Sequence, residues 1–137
     1  MLVVTADVRA AMIEHSLRCD PHEACGLLAG PGGDVAVRFF PVRNAAESAT
    51  AFTMDGREML DAELEIERIG LETKAVVHSH PTTGAHPSPT DVADSAHFDP
   101  LGSWRSVIVS LACVPADVRC FRIVAGQIEE EELATLG

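Results

Sequence analysis

At 137 residues, 47% of them apolar, the chain has the size for one domain, 1–137, with a real core. Its formal net charge is −11 and Lys74 is its sole lysine, so its surface repels nucleic acid, whose binding rests on neutralised phosphates. The longest apolar run is too short for a bilayer, the start Met1-Leu2-Val3-Val4 lacks the basic end of a secretory signal, and Cys19, Cys25, Cys113 and Cys120 form no C-x-x-C pair; the expectation is a cytoplasmic protein with reduced, mostly packed cysteines and no membrane partner.

Thr5 is placed to cap a helix over 6–18, with Val8, Ala11, Met12 and His15 on one face. Cys19-Asp20-Pro21 ends it. Glu23 to Ala29 reads as a short apolar strand. The turn Gly30-Pro31-Gly32-Gly33 then sends Asp34 to Phe40 back as the second arm of a hairpin, which Pro41 closes. Residues 42–51 are small and polar and read as loop, with Phe52-Thr53 a brief edge strand. A helix over 55–71 carries the stripe Met59, Ala62, Ile66 and Ile69, and its glutamates form a solvated face. Strand 74–80 is followed by a loop from Thr82 to Pro87 and a helix over 89–98 that should bury Val92, Ala93 and Ala96. Trp104 to Ala112 and Asp117 to Ala125 are two further strands, and Ala125-Gly126 turns the chain into Gln127 to Leu133 and its acidic run. This order predicts an α/β (α+β) fold: one mixed sheet flanked by helices.

The chemistry concentrates where strand 74–80 ends. Side chains alternate across a strand, so His78 and His80 point the same way, above Val76. Beyond the seven residues that follow His80, Ser88-Pro89-Thr90-Asp91 has the form of a helix start, with Ser88 at the N-cap and Asp91 at the third position. Taken alone, Ser88 and Asp91 are a capping box. Taken with the histidines, two imidazoles and one carboxylate make the ligand set of a catalytic zinc ion with a place left for water. Such a site needs a base that is not a ligand, and Glu23 is the best-placed acid outside the glutamate helix. Alone, an acid at the start of a strand is simply solvated. Cys25 should face the same side as Glu23 and reads as a packed residue. His86 lies in the loop and its role stays open; His15, His22 and His97 receive none.

His78-x-His80, seven residues, then Ser88-x-x-Asp91, with Glu23 upstream, resembles the JAMM signature of the MPN+ metallopeptidases. Glu23-Ala24-Cys25-Gly26-Leu27-Leu28-Ala29-Gly30 and Phe121-Arg122-Ile123-Val124 also look like compact prokaryotic members, and the likeness spans about 3–130. The resemblance implies a cytidine-deaminase-like layered fold and a peptidase or isopeptidase cutting after the C-terminal glycine of a small ubiquitin-like or sulfur-carrier protein. It implies Zn2+ on His78, His80 and Asp91, Glu23 as general base and Ser88 as donor to the oxyanion. The substrate tail would lie extended along a strand edge, either Phe52-Thr53 or the 38–41 segment. Two other readings compete. One is a non-catalytic MPN-type module that binds a ubiquitin-like partner; the intact motif argues against it. The other is a DNA-associated protein of the RadC kind, which the charge argues against. A zinc nucleoside deaminase is excluded, since no H-x-E or C-x-E with P-C-x-x-C is present.

Overall fold

A computed structural model describes residues 1–137. In chain order the elements are β1 (Leu2–Thr5), α1 (Ala6–Cys19), β2 (Cys25–Gly30), β3 (Val35–Ala36), β4 (Arg38–Val42), α2 (Gly56–Arg68), β5 (Glu72–His80), α3 (Pro89–Phe98), β6 (Arg105–Ser110), β7 (Asp117–Val124), β8 (Gln127–Glu131) and β9 (Leu133–Leu136). The expected α/β class is present. Its strands, however, divide into two sheets: six strands in the order β4-β2-β5-β6-β7-β8, and three in the order β3-β1-β9. No helix is long and apolar enough to cross a membrane.

The second sheet arises from contacts that local pattern does not reveal. Leu2 to Thr5 pair in parallel with Leu133 to Leu136, bringing the two ends of the chain side by side. The other partner is Val35-Ala36, so the expected second hairpin arm is split. Gly30 marks the crossing, because a Cβ there would overlap the Val35 carbonyl. After Val37 the chain returns to the first sheet, where Arg38 to Val42 pair with β2. Pro41 does not end this strand. It sits within β4, at the sheet edge, where a residue without an N–H is tolerated. The acidic run forms β8, a charged outer strand at the opposite edge.

The six-stranded sheet is covered on both faces. Thr5 caps α1 as expected, its Oγ1 accepting from the Val8 N–H at 3.2 Å. The helix packs Val8 and Met12 against Leu28, Ala75, Val77, Val107 and Val109. On the other face, α2 sets Ala62 and Ile66 against Cys25, Leu27, Ala29 and Val76. Val76 shares that face with His78 and His80, so the candidate ligands continue the α2 side of the core. The third helix departs from expectation. In α3 only Asp91 is buried; Val92 is half-buried, and Ala93 and Ala96 are exposed. This helix is anchored through its first turn and leaves its later turns on the rim.

Candidate metal centre

The strand β5 ends with His78 and His80 both buried, the first opposite Cys25 on β2 and Ile108 on β6. His80 Nδ1 lies 2.8 Å from the Gly84 carbonyl oxygen. A carbonyl only accepts, so Nδ1 carries the hydrogen, and in the neutral ring Nε2 is left with a lone pair that a metal ion can take. The His78 ring is stacked against Phe52, with centroids 4.6 Å apart and planes 22° from parallel.

Asp91 reaches the same point from α3. Ser88 Oγ accepts the Asp91 N–H at 3.1 Å, and Asp91 Oδ2 accepts the Ser88 N–H at 2.9 Å. The capping box and the candidate ligand are therefore the same carboxylate, and the cap aims it. Asp91 Oδ2 lies 3.0 Å from His78 Nε2 and 3.1 Å from His80 Nε2, and the two Nε2 atoms are 3.2 Å apart. Burial opposes charge on Asp91, but hydrogen bonds from both imidazoles and from the Ser88 main chain overcome it and hold the carboxyl far below the usual range. Burial also works against a charged His80; the Asp91 and Gly84 hydrogen bonds outweigh it and raise its pKa.

Three acceptor-rich atoms in mutual contact are an arrangement that a cation relieves. Ligand atoms about 2 Å from a tetrahedral zinc ion stand about 3.3 Å from one another, close to these spacings. The trio of His78, His80 and Asp91 thus has the donor set and geometry to hold a metal ion.

Glu23 is brought beside the trio by strand register. Cys25 pairs with His78, and the pairing continues as the Ala24 N–H donates to Ser79 Oγ at 2.7 Å and the Ser79 N–H to the Ala24 carbonyl at 3.0 Å. One residue further, Glu23 falls opposite His80 and shares its face. It is 3% exposed, and Oε1 has no protein hydrogen-bond partner. Burial raises its pKa from 4.5 to about 7; His80 pulls it down, and the negative charges of Asp91 and Asp94 push it further up. Cys25 is packed as expected. Its Sγ donates to the Val42 carbonyl at 3.3 Å, and burial pushes the thiol up to about 12.

Beside the trio opens a cleft of about 290 Å³, lined by Phe52, Thr53, Met54, Met59, Val76, Asp94, His97 and Phe98. Phe52-Thr53 is not a strand; the nearest ladder contact is the single bridge between Asn44 and Met54. His86 stays out of the trio, exposed, its ring against Phe121 at 5.5 Å. His97 is on the cleft rim, and His15 packs near Phe39 on the other side of the molecule. Sequence reasoning missed Phe52 as a neighbour of His78, Gly84 as the acceptor for His80, and Asp94 near Glu23. Phe52 had a faint signal, being the one aromatic after a run of small and polar residues, 45–51.

The Prok-JAB model, prokaryotic homologs of the JAB domain, matches residues 5–124. The chain belongs to this family. It is thereby a member of the compact prokaryotic branch of the JAMM metallopeptidases, and an enzyme of the peptidase class. Among its relatives is the CysO-cysteine peptidase of Mycobacterium tuberculosis, 38% identical over 133 residues, which cover 96% of this chain and 88% of that one. Another is a probable TtuB-protein conjugate cleaving protease of Thermus thermophilus, 39% identical over 114 residues, 82% of this chain and 70% of the relative. A solution structure of a Desulfitobacterium hafniense protein superposes with a TM-score of 0.88 at 34% identity, covering 99% of this chain and 93% of that chain.

Proposed function

We propose that this chain, as one domain over 1–137, is a cytoplasmic zinc-dependent peptidase or isopeptidase. It hydrolyses the bond after the C-terminal glycine of a small ubiquitin-like or sulfur-carrier protein and acts without nucleic acid or membrane. The observation that carries the proposal is Glu23: a buried carboxylate with an unpartnered oxygen, set beside two imidazoles and an aspartate whose ligand atoms lie 3.0 to 3.2 Å apart. The names of the two relatives support the substrate class.

His78 Nε2, His80 Nε2 and Asp91 Oδ2 would hold the zinc ion. When bound, zinc supplies a Lewis acid and brings the pKa of a water toward neutrality. Glu23 takes a proton from the attacking water and later gives it to the leaving amine. Its burial beside the trio, with one oxygen free of any protein partner, places it for both halves of that task. Ser88 Oγ accepts the Asp91 N–H, so its own hydrogen stays free to meet the negative charge that develops on the scissile carbonyl oxygen. The substrate tail lies along Phe52, whose main-chain N–H and C=O make no hydrogen bond within the protein. The 38–41 segment is the weaker choice, because β4 is separated from β5 by β2.

The direct test incubates zinc-loaded protein with carrier-protein adducts ending in cysteine, lysine or a second ubiquitin-like protein, and reads products by intact mass. Release of the adduct with a free carrier glycine is the expected result. Tight binding of the carrier with no cleavage would overturn the proposal in favour of a non-catalytic module.

A further inference from the structure

Between Val42 and α2 the chain forms a closed loop. Its stem is tied by the Asp55 N–H to the Arg43 carbonyl at 2.9 Å and the Ala45 N–H to the Thr53 carbonyl at 2.7 Å. The interior of the loop is filled by one buried side chain, the amide of Asn44. Its Oδ1 accepts from the Ala46 N–H and from the Thr53 N–H, each at 3.0 Å. Its Nδ2 donates to the Ala51 carbonyl and, outside the loop, to the Glu23 carbonyl, again at 3.0 Å each. All four hydrogen-bonding positions of the amide are used, and every partner is main chain. The Glu23 N–H is held by the same loop, donating to the Ser48 carbonyl at 2.8 Å.

We propose that Asn44 is a positioning residue for the reaction: it clamps the loop 44–54 onto the start of β2, fixing together the main chain that carries Glu23 and the loop that lays Phe52 over His78. The inference builds on the reading of Glu23 as the base. The physical reason is that Glu23 lies just before β2, where ladder bonds have given way. Both its main-chain groups are instead satisfied by the loop. A loop of small residues, with Ala45, Ala46, Ala49 and Ala51 among them, has little apolar area with which to hold itself down. One amide with four main-chain bonds replaces that missing core. Nothing in it touches His80 or Asp91, which are held by Gly84 and Ser88.

The test compares the zinc-loaded wild-type chain with Asn44→Ala and Asn44→Asp. The aspartate keeps the two acceptor bonds but turns a carboxylate oxygen toward two carbonyls. We expect amide hydrogen exchange to rise at least tenfold at Glu23, Ala46 and Thr53 in Asn44→Ala, and to stay unchanged at Ser79. In both variants kcat on a carrier adduct falls about 100-fold, the cost of misplacing a catalytic group by about 1 Å. Zinc affinity, from competition with a chelator, stays within about threefold. A merely structural asparagine would lower the denaturation midpoint and leave kcat of the folded protein alone; that result overturns the proposal, as does a loss of zinc affinity matching the loss of kcat. If the wild type cleaves no adduct, the proposed function fails by itself, and the exchange pattern decides the role of Asn44: wild-type protection in Asn44→Ala refutes the clamp.

Discussion

Replacing Glu23 by glutamine should make the metal-free protein more stable while abolishing turnover, and the size of the first effect follows from the structure. In the unfolded chain the carboxyl ionises near its ordinary 4.5; folded, it does so at about 7. Between those values the folded state holds a proton that the unfolded chain has released, so stability declines as pH rises through this window. The cost is absent below about 4.5 and complete above about 7. At about 1.4 kcal/mol per pH unit the full shift corresponds to about 3.4 kcal/mol, and allowing for relaxation and for the imperfect fit of a glutamine leaves about 2–3 kcal/mol. For a chain of this length that is a rise in melting temperature of about 7–10 °C. The assay is urea unfolding of chelator-treated wild-type and Glu23→Gln protein at pH 4.5 and pH 8. The variant should be the more stable by about 2–3 kcal/mol at pH 8 and equal within about 0.5 kcal/mol at pH 4.5. An equal difference at both pH values, or a less stable variant at pH 8, would refute the reasoning. With zinc restored, the variant should still bind the ion but lose about 10²–10⁴-fold in kcat.

Asp91→Asn should remove most of the zinc affinity, by at least 100-fold in a chelator competition, while the helix cap survives in part through Ser88 Oγ; unchanged zinc stoichiometry at micromolar metal would contradict the ligand assignment. Phe52→Ala, which removes the ring lining the cleft and stacked on His78, should raise KM about tenfold with kcat within threefold, measured by steady-state kinetics on a carrier adduct. Glu131→Gln probes the junction of the chain ends, where this carboxylate accepts from Arg105, Arg122 and the N-terminal ammonium at 3.0 to 3.2 Å. Burial opposes the charge, but these cations lower its pKa to about 2, so its contribution is present above about pH 4.5 and is lost as pH falls toward 2. Wild type should exceed the variant by about 1–2 kcal/mol at pH 7 after discounting for solvent screening, with the gap closing in acid denaturation near pH 2.

Much of this protein was written in local pattern. The apolar spacing of α1 and α2, the cap at Thr5, the alternation that points His78 and His80 one way, and the helix start at Ser88 are short-range properties of neighbouring residues, and each is found where the sequence places it. What the sequence alone did not decide is every feature created by residues far apart in the chain. The parallel pairing of Leu2–Thr5 with Leu133–Leu136 joins the two ends, the splitting of the expected hairpin arm depends on that second sheet, and the shallow seating of α3 depends on what lies beneath it. The same distinction runs through the site. Ligand types are legible because two imidazoles and an aspartate must occur at fixed short separations to converge. The place of Glu23 opposite His80 is a matter of β2–β5 register, and Asn44 and Phe52 belong to a loop whose shape is set by main-chain hydrogen bonds. Periodicity records which face a residue takes on its own element; only the packing of elements determines which faces meet.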